Sequence, residues 1–376
     1  MTGLFRREWK NLWADPWQLA LLTYIPILTM LLLLWIFNSV TPRDLPVAVV
    51  DLDKSQMSQT LAHKLEASPS IKLVSFYNLD EAKTAMHNAD VFALVVFPDN
   101  MRKDLLTGHS PIIDVRYNSQ FLLVGKLLAS QIQQALGAGL KDVSMYLQYA
   151  RGIPKAQAEL NLSPIAMQIT PLYNHNSHYQ IFLMPAIWIA LGQIVMMLTF
   201  ANSLGRELRH HSVAQWLQFG LLRALWVKAA VYIPLSVVQF SALTLLLFQY
   251  LSLDVNHAFL LLLLAQVLMT IVVWLIVLTI FMTLRDSARM VSFCTALFAP
   301  AFPFMGVTFP TNNMPIAAQW WRMLMPSSHY IEQQMAVLHY HASLSELVMM
   351  LTQYLPFLLL LPITYLGARK LRAAIA

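Results

Sequence analysis

One apolar stretch, then about 140 residues of ordinary soluble character, then five more apolar stretches: this spacing constrains the fold more than any single motif does. The stretches run about 18–38, 179–203, 229–250, 257–283, 291–309 and 347–366. Each is near the ~20 residues a helix needs to cross ~30 Å of hydrocarbon, where a helix satisfies its own backbone without water. Charged residues make up 12% of the chain and the mean hydropathy is +0.55, roughly half the charge of a soluble domain. The expected fold class is an α-helical membrane protein with six transmembrane helices and an α/β domain, expected to be extracytoplasmic, between helices 1 and 2.

Lysine and arginine in the short connections set the expected orientation, because cytoplasmic loops are enriched in them. Arg6, Arg7 and Lys10 precede the first stretch; Arg206, Arg209, Arg223 and Lys228 follow the second; Arg285 and Arg289 follow the fourth; Arg369, Lys370 and Arg372 follow the last. The opposite connections hold none in 251–256 and only Arg322 in 310–346. Both termini are therefore expected in the cytoplasm. The segment 39–178 carries twelve Lys/Arg and twelve Asp/Glu, so the net charge of +6 belongs to the cytoplasmic side. A basic chain whose positive charge sits where topology demands it gives no argument for nucleic acid. The first apolar run is about 21 residues, follows 17 others and lacks a small-x-small cleavage site, so an anchor is expected rather than a cleaved signal.

Residues 1–17 read as an interfacial helix with Leu4, Phe5, Trp9, Leu12 and Trp13 on one face and Arg6, Arg7, Lys10 and Asn11 around the other. Asp15 and Pro16 end it before the span at 18–38. Within 39–178 the period alternates: strands at Pro46–Val50, Lys72–Tyr77, Val91–Phe97 and Ile112–Tyr117, helices at Ser55–Ala67 and Leu79–His87, and one long helix over 119–150. That order implies an α/β fold. In 179–376, Pro300, Pro303, Gly306, Pro310 and Pro315 interrupt the apolar run, which predicts a fifth helix followed by a re-entrant outer segment near 300–330.

The spans as drawn contain no Asp, Glu, Lys or Arg, which disfavours an ion-coupled carrier. Gly125-Lys126 lacks the upstream glycine and following hydroxyl of a phosphate-binding loop, so any energy must come from a partner. Cys294 is the only cysteine. His329, His339 and His341 with Glu332 suggest a metal, but no second group completes four ligands and packing is the simpler reading. His175 and His178, and the pair His210-His211, read as solvated or headgroup contacts. Ser328, His329 and Glu332 come nearest to a hydrolytic grouping, too incomplete to make an enzyme the expected reading.

Val49-Val50-Asp51-Leu52-Asp53-Lys54-Ser55 with Ser58 and Leu61 resembles the start of the extracytoplasmic domain of ABC-2 type permeases. Ala93-Leu94-Val95-Val96-Phe97-Pro98, Val115-Arg116-Tyr117-Asn118, Leu172-Tyr173-Asn174, Arg206-Glu207-Leu208 and Leu324-Met325-Pro326-Ser327-Ser328-His329-Tyr330 follow in the family's order. The resemblance implies the membrane subunit of an ATP-driven exporter. Its partners would be cytoplasmic ATPase subunits that bind the ATP and Mg, a second permease copy or a paralogue, the lipid bilayer and, in a double-membrane bacterium, a periplasmic membrane-fusion adaptor. No cofactor is expected in this chain itself. By the resemblance, the coupling loop near 204–228 presents Arg206, Glu207, Arg209 and Trp216 to the ATPase, with Arg285 and Asp286 as a second contact. Family members often carry a Gly-Thr pair after that glutamate, where His211 and Ser212 stand here. An apolar or amphipathic cargo is expected to pass between two copies along Met184, Trp188, Met196, Phe298 and Phe302. The alternative is a non-transporting scaffold or sensor whose polar domain binds a ligand or envelope partner; the short cytoplasmic segments leave no room for an output domain.

Overall fold

The computed structural model describes residues 2–38, 43–107, 111–118, 122–150, 152–155, 157, 179–218, 220–255, 258–309, 311–338, 340 and 342–373. Packing divides the chain into two units, Met1–Asn38 with Tyr173–Ala376, and Ser39–Leu172. It opens with α1 (Thr2–Ala14), α2 (Pro16–Leu22) and α3 (Tyr24–Ile36). The second unit follows as β1 (Leu45–Asp51), α4 (Gln56–Glu66), β2 (Ile71–Ser75), α5 (Leu79–His87), β3 (Ala93–Phe97), α6 (Met101–Thr107), β4 (Asp114–Tyr117) and α7 (Leu122–Ala150). The first unit resumes with α8 (Tyr179–Arg209), α9 (Val213–Leu217), α10 (Leu221–Tyr250), α11 (Phe259–Leu284), α12 (Ser287–Phe298) and α13 (Ala301–Phe304). It ends with α14 (Ile316–Leu324), α15 (Pro326–Leu338), α16 (Leu344–Met350), a 3₁₀ segment (Leu351–Leu359) and α17 (Leu360–Ala373).

In the second unit the four strands lie in the order β2-β1-β3-β4, parallel except for β4, which runs antiparallel to β3. Alternate residues of the central strands feed opposite faces, as strand geometry requires. Val47, Val49, Val95 and Phe97 pack with Leu61 and Leu65 of α4 and Leu128 and Ile132 of α7. Ala48, Val50, Leu94 and Val96 pack with Ala82 of α5. A sheet covered on both faces explains why Val91–Phe97 is apolar at nearly every position. The Asp51–Ser55 stretch is a turn device. The Asp51 carboxylate accepts the N–H of Asp53 at 3.1 Å and of Lys54 at 2.9 Å, and the Ser58 hydroxyl at 2.7 Å, while Ser55 caps α4. Lys54 takes a left-handed φ of 52° to make the turn.

Among the described residues the first unit has four helical stretches long and apolar enough to cross a membrane, or five if one bent pair counts as a span. Three are α8, α10 and α11; the fourth, Leu344–Lys370, comprises α16, the 3₁₀ segment with Pro356 inside it, and most of α17. The bent pair is α2 and α3, turned by 41° at Thr23. Thr23 Oγ1 bonds the Leu19 carbonyl at 2.6 Å, and Pro26 has no N–H to continue the ladder. The stretch expected as a fifth span, 291–309, is not one helix. Its main element, α12, has 12 residues and rises only about 18 Å at ~1.5 Å per residue. Pro300 ends it, α13 is four residues long, and Gly306 turns the chain with φ 87°. At the centre lies α11, buried from Leu262 to Met282 on almost every side, which is why its sequence is apolar all round.

Candidate functional site

Four charged side chains close into a ring at one end of the first unit. On α1 the inward face is Leu4, Glu8 and Leu12, one residue per turn, so a carboxylate interrupts an otherwise apolar stripe. Glu207 stands near the end of α8, and Lys228 two turns into α10. Lys228 Nζ lies 2.8 Å from Glu8 Oε2 and 3.0 Å from Glu207 Oε1. Arg7 closes the ring, donating to Glu207 through both terminal nitrogens at 2.6 and 3.1 Å and to Glu8 at 2.9 Å. Two positive and two negative charges alternate and sum to zero. Glu8, Glu207 and Lys228 are each 1% exposed, so the pairing is what makes their burial tolerable. Burial works against the charge of Arg7, but the hydrogen bond and charge of Glu207, then of Glu8, outweigh it and hold the guanidinium pKa above its ordinary value.

The surrounding chain holds the ring in place. After α8, His211 adopts φ 51° and folds Ser212 back, so that its hydroxyl donates to Glu207 at 2.6 Å. Lys228 also donates to the Ser203 carbonyl at 3.1 Å, and the Trp216 ring covers it at 5.3 Å. A second network continues along α8. Asn202 donates to Asp15 at 3.0 Å and to Gln18 at 2.8 Å and accepts from Arg209 at 2.7 Å. Arg206 reaches the Asn11 carbonyl, and Arg209 reaches Ser287 on α12 at 3.1 Å. Gly205 permits that approach, since a Cβ there would stand 2.6 Å from Ser287 Oγ. Together these bonds tie α1, α2, α8, α10 and α12 into one block.

Residues 16–368 match the family model of the ABC-2 family transporter proteins. The chain belongs to that family. No curated protein matches it. An ABC-2 family transporter protein is the membrane transport subunit of an ABC transporter, separate from the ATPase it works with. The ion-pair block therefore sits in a transport component, at the segment where the coupling residues were expected.

In this ABC-2 protein the structure brings Arg206, Glu207, Arg209 and Trp216 together, and Arg285 and Asp286 stand beside Ser287 at the start of α12. Their exposures differ from the sequence reading. Glu207 and Trp216 were expected to face a partner, yet both are buried, Trp216 against Lys228 and Phe281. The exposed side chains of the turn are Arg209, His210, His211 and Gln215, with Asp286 and Arg289 nearby. Asp286 caps α12 through the Arg289 N–H at 2.8 Å. Met184, Trp188, Met196 and Phe298 lie inside the core of this single chain, and only Phe302 is half-buried at its edge. Trp188 stacks on Phe240 at 5.4 Å and donates to Thr244 at 2.9 Å.

Arg7, Glu8 and Lys228 were missed as site residues. The interfacial reading of α1 put Leu4, Phe5, Trp9, Leu12 and Trp13 on one face; the structure separates them, leaving the three aromatics exposed and burying Leu4 and Leu12 together with Glu8. The span drawn from 229 also excluded Lys228, which lies inside α10. His329 is a packed side chain, bonded to Gln353 at 3.2 Å and the Met323 carbonyl at 3.0 Å, and Glu332 pairs with Arg322. Among the described residues no three His, Cys, Asp or Glu side chains gather as a metal site requires. His175, His178, His339, His341, Pro310 and the 172–174 motif lie outside the described residues.

Proposed function

We propose that this chain is the permease subunit of an ATP-driven exporter in a bacterial inner membrane, paired with a second copy or a paralogue and moved by separate ATPase subunits that hold ATP and Mg. Both termini face the cytoplasm, and 39–178 lies on the other side, where an envelope adaptor could reach it. Six passes are read, the fifth being the broken α12–α13 segment with the short helices after it. The cargo is apolar or amphipathic, in keeping with a membrane unit whose core is Met- and aromatic-rich.

The observation that carries this reading is the closed ring. Force from an ATPase must enter through elements that do not bend relative to one another, and the ring locks α1 to α8 and α10 at the expected coupling turn. Glu207 is therefore a positioning residue inside the lever, and the exposed Arg209, His210, Gln215, Asp286 and Arg289 are the surface that meets the ATPase. The test is Glu207→Gln in the assembled complex with its ATPase. Cargo-stimulated hydrolysis should fall about 2- to 30-fold, with basal hydrolysis and membrane insertion unchanged. Full stimulation in a correctly inserted Glu207→Gln complex removes the coupling role.

A further inference from the structure

The face of α1 opposite the ring is uncovered by any of the described residues. Phe5, Trp9 and Trp13 are 46%, 44% and 62% exposed there, and α10 turns Trp226, 71% exposed, toward the same space. Between the two helices runs an open groove of about 870 Å³, lined by Phe5, Arg6, Trp9, Trp226, Val227 and Ala230 with Thr2 at one end. Its volume lies in the upper range of small-molecule sites, roughly 300–1,000 Å³, and its surface is almost wholly apolar.

The groove's charge is one-sided. Arg6 lines it, Lys10 follows one turn later on α1, and Arg223 lies one turn before Trp226 and Val227 on α10. All three are exposed, and none forms an ion pair among the described residues. The only acid on α1 is Glu8, already spent in the ring, and α10 contains none. Tryptophans beside basic residues mark a membrane–water interface, where the ring stays in the apolar layer and the cation meets phosphate.

We propose that this groove binds one anionic glycerophospholipid of the cytoplasmic leaflet, its acyl chains against Trp226, Val227, Ala230 and Phe5 and its phosphate on Arg6, with Lys10 and Arg223 supplying further positive charge. The leaflet assignment rests on the cytoplasmic placement of α1 in the proposed function. A second copy of the chain is a poor occupant, because two such faces would bring like charges together. A zwitterionic lipid leaves the excess cations unmatched, and each basic residue near an anionic headgroup favours it by about fivefold.

The experiment is native mass spectrometry of the full chain, released from detergent holding equal phosphatidylglycerol and phosphatidylcholine. The wild type should retain one phosphatidylglycerol with at least about tenfold preference. Arg6→Gln with Arg223→Gln should lower the preference at least about fivefold, Lys10 alone keeping the remainder, and Trp226→Ala should weaken retention of both lipids, with melting midpoints unchanged because the three side chains are exposed. Arg116→Gln, in the other unit, should change nothing. Equal retention of the two lipids by the wild type, an undiminished preference in the double variant, or a protein dimer in place of bound lipid overturns the site. The readout needs no ATPase. A chain that keeps its phosphatidylglycerol but stimulates no hydrolysis retains the site and loses the transport reading.

Discussion

Replacing Lys228 by methionine keeps an unbranched side chain of similar length in the same space and removes one charge from a closed set of four. The ring then passes from neutral to a net charge of −1. Glu207 keeps Arg7 and Ser212, but Glu8 loses the 2.8 Å partner on its Oε2 and retains only Arg7 at 2.9 Å on Oε1. Breaking a buried pair in this way costs about 3–5 kcal/mol, because two buried carboxylates are left to share the single cation of Arg7 and neither can reach water. For a unit of this size each kcal/mol moves a melting midpoint by about 2–4 °C, so Lys228→Met should melt roughly 6–20 °C below the wild type. Tryptophan fluorescence of the purified chain in detergent reads this directly. The decisive arm is Glu8→Gln in the Lys228→Met background, which restores a neutral cluster of Arg7 and Glu207. If the loss is electrostatic, the double variant should be more stable than the sum of the single losses by about 2 kcal/mol or more. Losses that add to within about 0.5 kcal/mol would refute the ring as a coupled unit and reduce Lys228 to a packing residue.

Gly192→Ala should lower the midpoint by an amount corresponding to about 1–3 kcal/mol, since a Cβ there would stand 1.9 Å from Phe240 Cε2 while Phe240 is held against Trp188. Adding Phe240→Leu should recover part of the loss; no recovery means the glycine serves something other than this approach. Asp51→Ala should cost about 1–3 kcal/mol in the α/β unit by stranding the Asp53 and Lys54 N–H groups and the Ser58 hydroxyl. Faster hydrogen exchange at 53–58 checks it, and unchanged exchange there would show that the turn holds without its carboxylate.

Elements governed by local period are legible in the sequence. The alternation around Val91–Phe97, the cap at Ser55 and the long helix through 122–150 all stand where the pattern puts them, because each is decided by residues close in sequence. The short α6 escapes such a reading, having too few residues to show a period. The breaks at Pro300 and Gly306 are visible, but not that α12 stops at 12 residues, since apolar composition continues past the point where the backbone cannot. Glu207 stands out from its motif, while its partners lie 200 positions upstream and 21 downstream, and no local pattern joins them.

A physical signal is nonetheless present in each segment taken alone. Leu4, Glu8 and Leu12 put a carboxylate on a regular apolar stripe, and Lys228 sits within a helix whose apolar run passes through it. A charge in such a position must be desolvated, and a desolvated charge must find its opposite. One orphan acid on α1 therefore requires a buried base elsewhere, and the helix carrying Lys228 is the place to seek it. A span that begins at 229 leaves that lysine in water and erases the requirement. Trp216 follows from the same step: an aromatic ring over a buried ammonium excludes solvent from the ring of charges, so Trp216 faces inward with Val213 and Leu217 half-buried beside it. Removing any one of the four charges leaves the other three unbalanced in a buried site, which is why the ring must be complete to be tolerated there.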